Sequence, residues 1–174
     1  MNIIEKLKEK VQELGERNLF GEGATEEQIV TFENTLNLKL PPIMKAFYLA
    51  NNGGCFADDS WSKEDLLNPE ELGSIIWNSN YFLSLEEIID AYNSGKYGSI
   101  DFQEQEKESD KRLIPIIHTN GQENLVWDIT EEGSTKIIDA FHEIGADEWD
   151  VLYDSFEDLL NDYIIEEGDI ETVA

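Results

Sequence analysis

LIPIIHTNGQENLVWDI, residues 113–129, consists of two runs rich in apolar and β-branched residues on either side of a polar centre. Such runs predict β-strands, and the Asn120-Gly121 pair between them is the strongest short-range signal for a hairpin turn. A two-residue turn at this pair would set the facing residues as Ile114 with Trp127, Ile116 with Leu125, and His118 with Glu123. We therefore expect the four apolar members of these pairs to be core residues, and the histidine to pair with the glutamate across the hairpin.

Other strands are predicted before and after this hairpin. Residues 135–141 follow a Glu-Glu-Gly turn and predict a third strand. The β-branched and aromatic content of 74–77 and 81–83 predicts strands there as well. Residues 101–112, DFQEQEKESDKR, are almost wholly polar, so we expect an exposed excursion between elements.

The flanking segments show apolar residues at helical spacing together with helix-start signals. The predicted helices are an amphipathic N-terminal one that Gly15 ends, two that open with the capping boxes Thr25–Gln28 and Ser84–Glu87, one that begins at Pro41-Pro42, and a last one capped by Ser155. Residues 55–73 have no clean period and form either an ordered loop or a short surface helix.

These elements predict one α+β domain over residues 1–174. The order of helices, a central antiparallel meander and a final helix implies a single sheet with the helices packed mainly on one side. Within this domain, residues 1–24 are an N-terminal amphipathic helix and loop, and residues 161–174 are an acidic tail.

The charge balance of the chain is strongly acidic. There are 39 Asp and Glu against 12 Lys and Arg, which gives a formal net charge of −27. Nucleic acids and anionic lipids are polyanions that such a surface repels, so we expect neither a nucleic-acid nor a membrane partner. A cationic protein surface is the partner that this charge favours, and the alternative is that the acidity serves solubility alone. We expect a monomer.

The sequence also bears on the cellular compartment. Charged residues interrupt the apolar ones in 1–15, so no signal peptide is expected there. No window of about 18 apolar residues, the length that spans a bilayer, is present. The single cysteine, Cys55, rules out an intramolecular disulfide. Together these observations predict a cytoplasmic protein.

Candidate catalytic residues are few. The thiol and imidazoles of Cys55, His118 and His142 could sketch a Cys-His nucleophile, but no local motif supports it, and a free cysteine usually packs as a small hydrophobe. Carboxylates are so abundant that no spacing singles out an acid–base pair. We therefore predict no catalytic residues, no cofactor and no metal site, and hence no enzyme. A carboxylate-based hydrolase is the alternative.

The distribution of charge singles out one segment. Residues 137–174 contain 13 acids and no Lys or Arg, interleaved with aromatic residues. This segment is either a solvated face or a docking surface for a cationic partner, in which aromatic side chains would supply the lasting affinity. The candidate partner-binding residues are Asp58, Asp59, Trp61, Asp147, Glu148, Trp149, Asp150, Tyr153 and Asp154.

Several motifs, taken in order, resemble the SUKH superfamily. Phe32-Glu33, LNLKLP at 36–41, Phe47-Tyr48 and NNGG at 51–54 resemble its N-terminal signature, in which a capped helix leads to a Leu-Pro step and then to Asn-Gly-Gly. The agreement continues at Ile76-Trp77, Leu85-Glu86-Glu87, Leu113 to Ile116, Asn120-Gly121 and Ser155 to Leu160. The likeness therefore extends from Thr25 to Leu160, and the polar segment 101–112 and the acidic tail fall outside its pattern.

The resemblance implies an α+β domain that is used mainly in bacteria as an immunity protein. Such proteins bind and neutralise a cognate polymorphic toxin, often a nuclease or another nucleic-acid-modifying domain. Fungal relatives include regulators of cell-wall synthesis that act as interaction scaffolds. We therefore expect a non-catalytic protein that binds a cognate toxin with a basic surface, and a general interaction scaffold or regulator is the alternative.

Overall fold

The chain folds into helices packed around one antiparallel sheet, and the computed structural model describes residues 1–97 and 100–172. The helices are α1 (Ile3–Leu14), α2 (Glu26–Leu36), α3 (Pro42–Ala50), α4 (Lys63–Leu66), α5 (Leu72–Trp77), α6 (Leu85–Ser94), α7 (Phe102–Ser109) and α8 (Phe156–Ile165). The strands are β1 (Tyr81–Phe82), β2 (Leu113–His118), β3 (Asn124–Asp128), β4 (Ile137–Ala140) and β5 (Val151–Tyr153). Short 3₁₀ turns occupy Gly15–Arg17 and Ala146–Glu148.

Side-chain caps specify where several helices begin. The Thr25 hydroxyl accepts a hydrogen bond from the Gln28 amide (3.1 Å), and the Gln28 side-chain oxygen accepts one from the Thr25 amide (2.8 Å). This reciprocal pair satisfies two amides that the helix itself leaves unbonded. Ser84 and Glu87 form the same arrangement at the start of α6. Both predicted capping boxes are therefore confirmed.

The sheet is an antiparallel meander. Its strands lie in the order β1-β2-β3-β4-β5, so every strand pairs with its neighbours along the chain. The predicted α+β class and the central meander are confirmed. The outer strands are short, with two residues in β1 and three in β5, and β5 was not predicted.

The central hairpin forms, but its turn and register differ from the prediction. Ile114 faces Trp127 as predicted, whereas Leu125 faces Ile117 and His118 faces Asn124. The loop has three residues, 120–122, since the Thr119 amide donates to the Glu123 carbonyl (2.8 Å) and Gln122 has a φ of +67°. This is the three-residue hairpin loop that ends in a left-handed residue. The extra loop residue shifts the register by one, and a bulge between Pro115 and Ile117 shifts it back.

Both faces of the sheet are covered. The larger core contains the four predicted residues Ile114, Ile116, Leu125 and Trp127, all buried, together with side chains from α1, α2, α3, α6 and α8. A second core contains Leu113, Val126 and Ile138 of the sheet, which pack with Phe102 of α7 and with Trp149. The main helices therefore lie on one side of the sheet as expected, and α7 with the 141–149 segment covers the other.

One prediction about local structure is wrong, and another left out a helix. Residues 74–77 belong to helix α5 rather than to a strand, and the Ile75 amide donates to the Glu71 carbonyl (3.0 Å). A short apolar run has no period that separates a strand from a buried helical turn. Residues 102–109 belong to the predicted exposed excursion and are mostly exposed, but they form helix α7, which is capped by the Asp101 side chain and anchored by the buried Phe102. In 55–73, the short surface helix α4 forms, which was one of the two alternatives.

The C-terminal segment up to residue 172 belongs to the body of the protein and is not a tail. Helix α8 continues to Ile165, and Tyr163, Ile164 and Ile170 are buried in the larger core. The backbone that carries the acidic residues between them is consequently part of the packed body. The remaining residues of the predicted tail, 173 and 174, lie outside the described part of the chain.

Candidate functional site

An acidic cleft of about 150 Å³ lies where the C-terminal segment meets the loop before α4. Its charged lining residues are Arg17, Asp58, Asp59, Glu166, Glu167 and Asp169, and Asn78, Asn80 and Asn120 complete the wall. Among the described residues that line it, five carboxylates thus surround a single guanidinium. Two of the predicted partner-binding residues, Asp58 and Asp59, are part of this acidic cleft.

Arg17 ties the walls of the cleft together. Its Nε donates to the Ala57 carbonyl (3.0 Å), and its Nη1 donates to Glu167 Oε2 (2.8 Å). The second oxygen of Glu167 lies 3.7 Å from Lys10 Nζ of α1. The hydrogen bond from Arg17 is the main reason why the pKa of Glu167 is lowered. Glu167 is therefore neutralised within the protein, while Asp59, Glu166 and Asp169 contribute net negative charge.

The floor of the cleft is a buried polar network centred on Asn80. The Asn80 side chain donates to the Gly168 carbonyl (2.9 Å) and accepts from the Asn120 amide (3.0 Å). The Tyr163 hydroxyl donates to the Asn80 carbonyl (2.9 Å) and accepts from the Phe56 amide (3.0 Å). Asn80 is only 2% exposed. Because each member is bonded to a different segment, this network fixes the backbone segments that carry the acidic side chains relative to one another.

Asp58 is held as a carboxylate at the mouth of the cleft. Hydrogen bonds from the Ser60 hydroxyl and then the Ser60 amide lower its pKa, and Arg17 adds a smaller effect. The amide of Ser60 lies 2.7 Å from Asp58 Oδ1. The negative charge of Asp58 therefore persists into mildly acidic solution.

An adjoining groove extends the acidic surface along the sheet. This edge groove, of about 490 Å³, is lined by Leu152, Tyr153, Asp162, Glu166, Asp169 and Glu171. Glu166 and Asp169 line both the acidic cleft and the edge groove. The predicted Tyr153 belongs here, half-buried, with its hydroxyl bonded to the Asp162 carboxylate. Burial and this hydrogen bond raise the pKa of Tyr153, so its hydroxyl stays protonated.

The remaining predicted residues do not join this surface. Asp147, Glu148 and Asp150 are exposed, but they line neither cavity, and the turn that carries them packs on α7 through a hydrogen bond from the Ala146 amide to Gln105 (3.3 Å). Trp61 and Asp154 are next to the surface in the chain and are also absent from the lining. The structure therefore divides the nine candidates between at least two sites.

Trp149 must be removed from the candidates. It is 6% exposed and packs in the second core against the sheet. Its indole nitrogen donates to the Phe141 carbonyl (2.8 Å), so its polar atom is also satisfied internally. An aromatic residue flanked by acids can either fill a core or bind a partner. Trp149 covers one face of the sheet, so it is a core residue.

Cys55, the candidate nucleophile, lies in an environment that suppresses its reactivity. Cys55 is fully buried, and burial raises the pKa of its thiol to about 12 in spite of a hydrogen bond with Ser79. Its thiolate is therefore not populated at neutral pH, and the thiolate is the nucleophilic form. This supports the prediction that Cys55 serves packing. Among the described residues, no group of three or more His, Cys, Asp or Glu is arranged to hold a metal ion.

The predicted pair between His118 and Glu123 does not form. Glu123 is buried and accepts from the His142 amide (3.2 Å) and from the ring nitrogen Nδ1 of the same residue. His118 is instead buried beneath the Trp77 ring, with the ring centroids 4.7 Å apart. The shifted hairpin register explains this difference, because the three-residue loop sets His118 opposite Asn124 and Thr119 opposite Glu123.

Several members of the acidic surface were not named from the sequence. The C-terminal acids Asp162, Glu166, Glu167, Asp169 and Glu171 belong to the segment whose charge was noted, but nothing in their spacing distinguished them. Their one local signal in the sequence is the glycine of the Glu166-Glu167-Gly168-Asp169 stretch after α8. In the structure, Glu167 and Gly168 both have a positive φ, so the chain turns there. Arg17 gave no signal, since its partners lie 40 and 150 residues away in the chain.

Comparison with known proteins identifies the family. A search of curated proteins gives no match, and none of the helices in 1–97 and 100–172 combines the length and apolar character needed to cross a bilayer. The model of the SMI1/KNR4 family (SUKH-1) matches residues 23–162, which is most of the chain. This agrees with the ordered motifs and with the α+β meander. The chain therefore belongs to the SMI1/KNR4 family (SUKH-1).

Proposed function

We propose that this protein is a non-catalytic immunity protein that binds and neutralises a toxin through the acidic cleft and the edge groove. The observation that carries the proposal is the continuity of these two cavities, which share Glu166 and Asp169. A continuous carboxylate surface held in a rigid frame complements an extended cationic face better than scattered surface acids do.

The toxin class that fits best is a nuclease. Such an enzyme must be cationic where it meets the phosphate backbone, which carries one charge per about 1.7 Å of duplex axis. A rigid array of carboxylates can occupy the same groove and exclude the nucleic acid. The net charge of −27 would also accelerate encounter by electrostatic steering.

The position of the surface relative to the family match supports a role in choosing the partner. The match to the family model ends at residue 162, so Arg17 and Glu166 to Asp169 lie outside it. Arg17 is bonded to the matched part of the chain through the Ala57 carbonyl, and Gly168 is bonded to it through the Asn80 side chain. The matched segment thus supplies the frame, and the residues outside it supply much of the charge.

The test is co-expression with candidate toxins from the same genome, followed by pull-down and association kinetics. A variant with D58N, D59N, E166Q and D169N should lose most of its affinity and its protection of the host. The control variant, E9Q, E27Q, D90N and E108Q, removes as many charges from exposed positions outside the cleft and the groove. An equal loss of affinity in both variants would show that net charge, and not this surface, governs binding, and would contradict the proposal. Unchanged affinity in the first variant would overturn it as well.

The salt dependence of the association rate gives a second measurement. We expect the rate to fall as salt is added, because counterions screen the steering field between surfaces further apart than about 10 Å at 0.1 M. An association rate that does not respond to salt would remove electrostatic attraction from the mechanism.

A further inference from the structure

The sequence contains two Asn-Gly pairs, Asn52-Gly53 and Asn120-Gly121, which lie in different environments. This dipeptide is chemically labile, because glycine has no side chain to keep its backbone nitrogen away from the preceding asparagine amide. Attack of that nitrogen on the side-chain carbon closes a succinimide ring and expels ammonia. In a folded protein, the reaction depends on the freedom of the two residues to reach this geometry.

The Asn52-Gly53 pair is held in place. The Asn52 side chain donates to Glu86 Oε2 (3.0 Å) and accepts from the Leu85 amide (2.9 Å). Gly53 is buried, and a Cβ there would lie 2.7 Å from the Ser84 nitrogen. Ring closure would require both hydrogen bonds of the side chain to break in a closely packed site, so this pair is protected.

The Asn120-Gly121 pair is free to react. Both residues are exposed at the tip of the central hairpin. The Asn120 amide donates to Asn80 Oδ1 (3.0 Å), and its carbonyl accepts from the Gln122 side chain (3.2 Å). Within the part of the chain that the structure describes, however, neither the Asn120 side chain nor the Gly121 amide has a hydrogen-bond partner. The attacked carbon and the attacking nitrogen therefore both lack the restraint that protects Asn52.

We propose that Asn120 is a site of spontaneous deamidation that converts a neutral part of the acidic cleft into a carboxylate. The Gly121 nitrogen bonds to Cγ of Asn120, its proton leaves with the departing amine, and ammonia is released. Water then opens the succinimide at either carbonyl, which restores the N–H and forms a carboxylic acid that ionises at neutral pH. The two openings give aspartate and isoaspartate, and neither step needs an oxidant or a reductant.

Either product changes the acidic cleft. Asn120 lines the cleft together with five carboxylates and Arg17, so deamidation adds one more negative charge there. In isoaspartate the main chain also runs through the former side chain, and the Asn120 carbonyl that accepts from Gln122 becomes part of a free carboxylate. Newly made and aged protein therefore differ in the charge of the acidic cleft. This difference does not depend on whether the cleft binds a toxin.

The experiment is incubation of the intact protein in mildly alkaline buffer, because the attacking nitrogen must lose its proton. Trypsin cleaves on both sides of each pair, so the pairs lie on the separate peptides 46–63 and 113–136. Mass spectrometry of these peptides at intervals measures the gain in mass when an amide becomes a carboxylate, and fragment ions assign it to Asn52 or Asn120. Enzymatic methylation of isoaspartyl carboxylates identifies the second product.

We expect Asn120 to deamidate about tenfold faster than Asn52, because the two hydrogen bonds of the Asn52 side chain must break before its ring can close. Gly121→Ala should slow the reaction at Asn120, since the added methyl group obstructs the nitrogen. Alanine is compatible with this loop. The Gln122 amide donates to the Thr119 carbonyl (3.0 Å), and the left-handed residue of the turn is Gln122 rather than Gly121.

Unfolding provides a second comparison. In guanidinium chloride the hydrogen bonds of Asn52 are lost, so both pairs should deamidate at similar rates. A difference that persists in the denaturant would assign it to the neighbouring sequence and would overturn the structural argument. Equal rates in the folded protein would overturn the proposal as well. So would a rate at Asn120 that Gly121→Ala lowers no more than the same change at the exposed Gly73.

Discussion

Gly168 connects the acidic cleft to the core through a conformation that other residues rarely adopt. Its φ is +91°, and a Cβ at this position would lie 3.2 Å from Phe56 Cβ and 3.3 Å from Tyr163 Cζ. We expect Gly168→Ala to lower the free energy of unfolding by about 1–3 kcal/mol, the usual cost of a strained backbone position. Urea denaturation measures this change.

The matched control for Gly168 is Gly73 in α5, where a Cβ would meet nothing within 4 Å. Gly73→Ala should leave stability unchanged or raise it by up to about 1 kcal/mol, because alanine favours the helix. Equal effects of the two substitutions would show that the position of Gly168 imposes no special demand.

His118 makes stability depend on pH. Burial lowers its pKa from the ordinary 6.5, against the opposing effect of a hydrogen bond with Gln122. The unfolded chain therefore takes up a proton near 6.5 while the folded protein does so only at lower pH, so stability falls as pH drops from 6.5 towards the folded pKa. The contribution is fully present above 6.5.

The measurement is the unfolding free energy of the wild type and of His118→Phe between about pH 5 and 8, the range in which histidine titrates. The phenyl ring keeps the contact with Trp77 and cannot titrate, so the wild type should lose stability relative to the variant as the pH falls. His142 is unchanged in both proteins. Parallel profiles would contradict the prediction.

At the scale of elements, helix α2 depends on its capping box. Removing the Thr25 hydroxyl leaves the Gln28 amide without its partner, so Thr25→Ala should cost about 1 kcal/mol. Thr25→Ser keeps the hydroxyl and is the control. Thermal or urea denaturation distinguishes them, and a cost shared by Ala and Ser would assign the effect to the lost methyl group rather than to the cap.

The elements also show how far the sequence determines the fold. The capping boxes, the meander and the cores of β2 and β3 were predictable, because each follows from residues close together in the chain. Helix α5 was not, since the run Ser74 to Trp77 suits a strand locally and becomes helical through the packing of Ile75. Helix α7 has a single apolar anchor and therefore no period to detect.

Only the negative charge of the acidic cleft was predictable from the sequence. The excess of acids after residue 136 indicated a negative surface, and Asp58 and Asp59 were named. That these residues meet Glu166 and Asp169 depends on contacts such as Arg17 with Glu167, which bring distant segments together. Residue type and spacing do not predict such long-range contacts. For the same reason, the burial of Trp149 could not be predicted without knowing which face of the sheet it covers.

For the whole molecule, the net charge of −27 opposes folding, because compaction brings like charges together. We expect the urea midpoint to rise as sodium chloride is raised to about 0.1 M, where the screening length falls to about 10 Å. The variant E9Q/E27Q/D90N/E108Q carries four fewer charges and should respond less. A midpoint that falls or stays constant with salt would show that repulsion does not limit stability.

The central hairpin contains two irregularities, the third loop residue and the bulge between Pro115 and Ile117. Each lies between residues whose partners on the other strand are already fixed. Removing Gln122 alone would shorten the loop and leave Thr119 facing Glu123. Removing one residue from the regularly paired run 124–128 would instead turn every side chain beyond it to the other face of the sheet. In this hairpin, single-residue deletions are therefore expected to be tolerated in the loop and rejected within the paired part of β3.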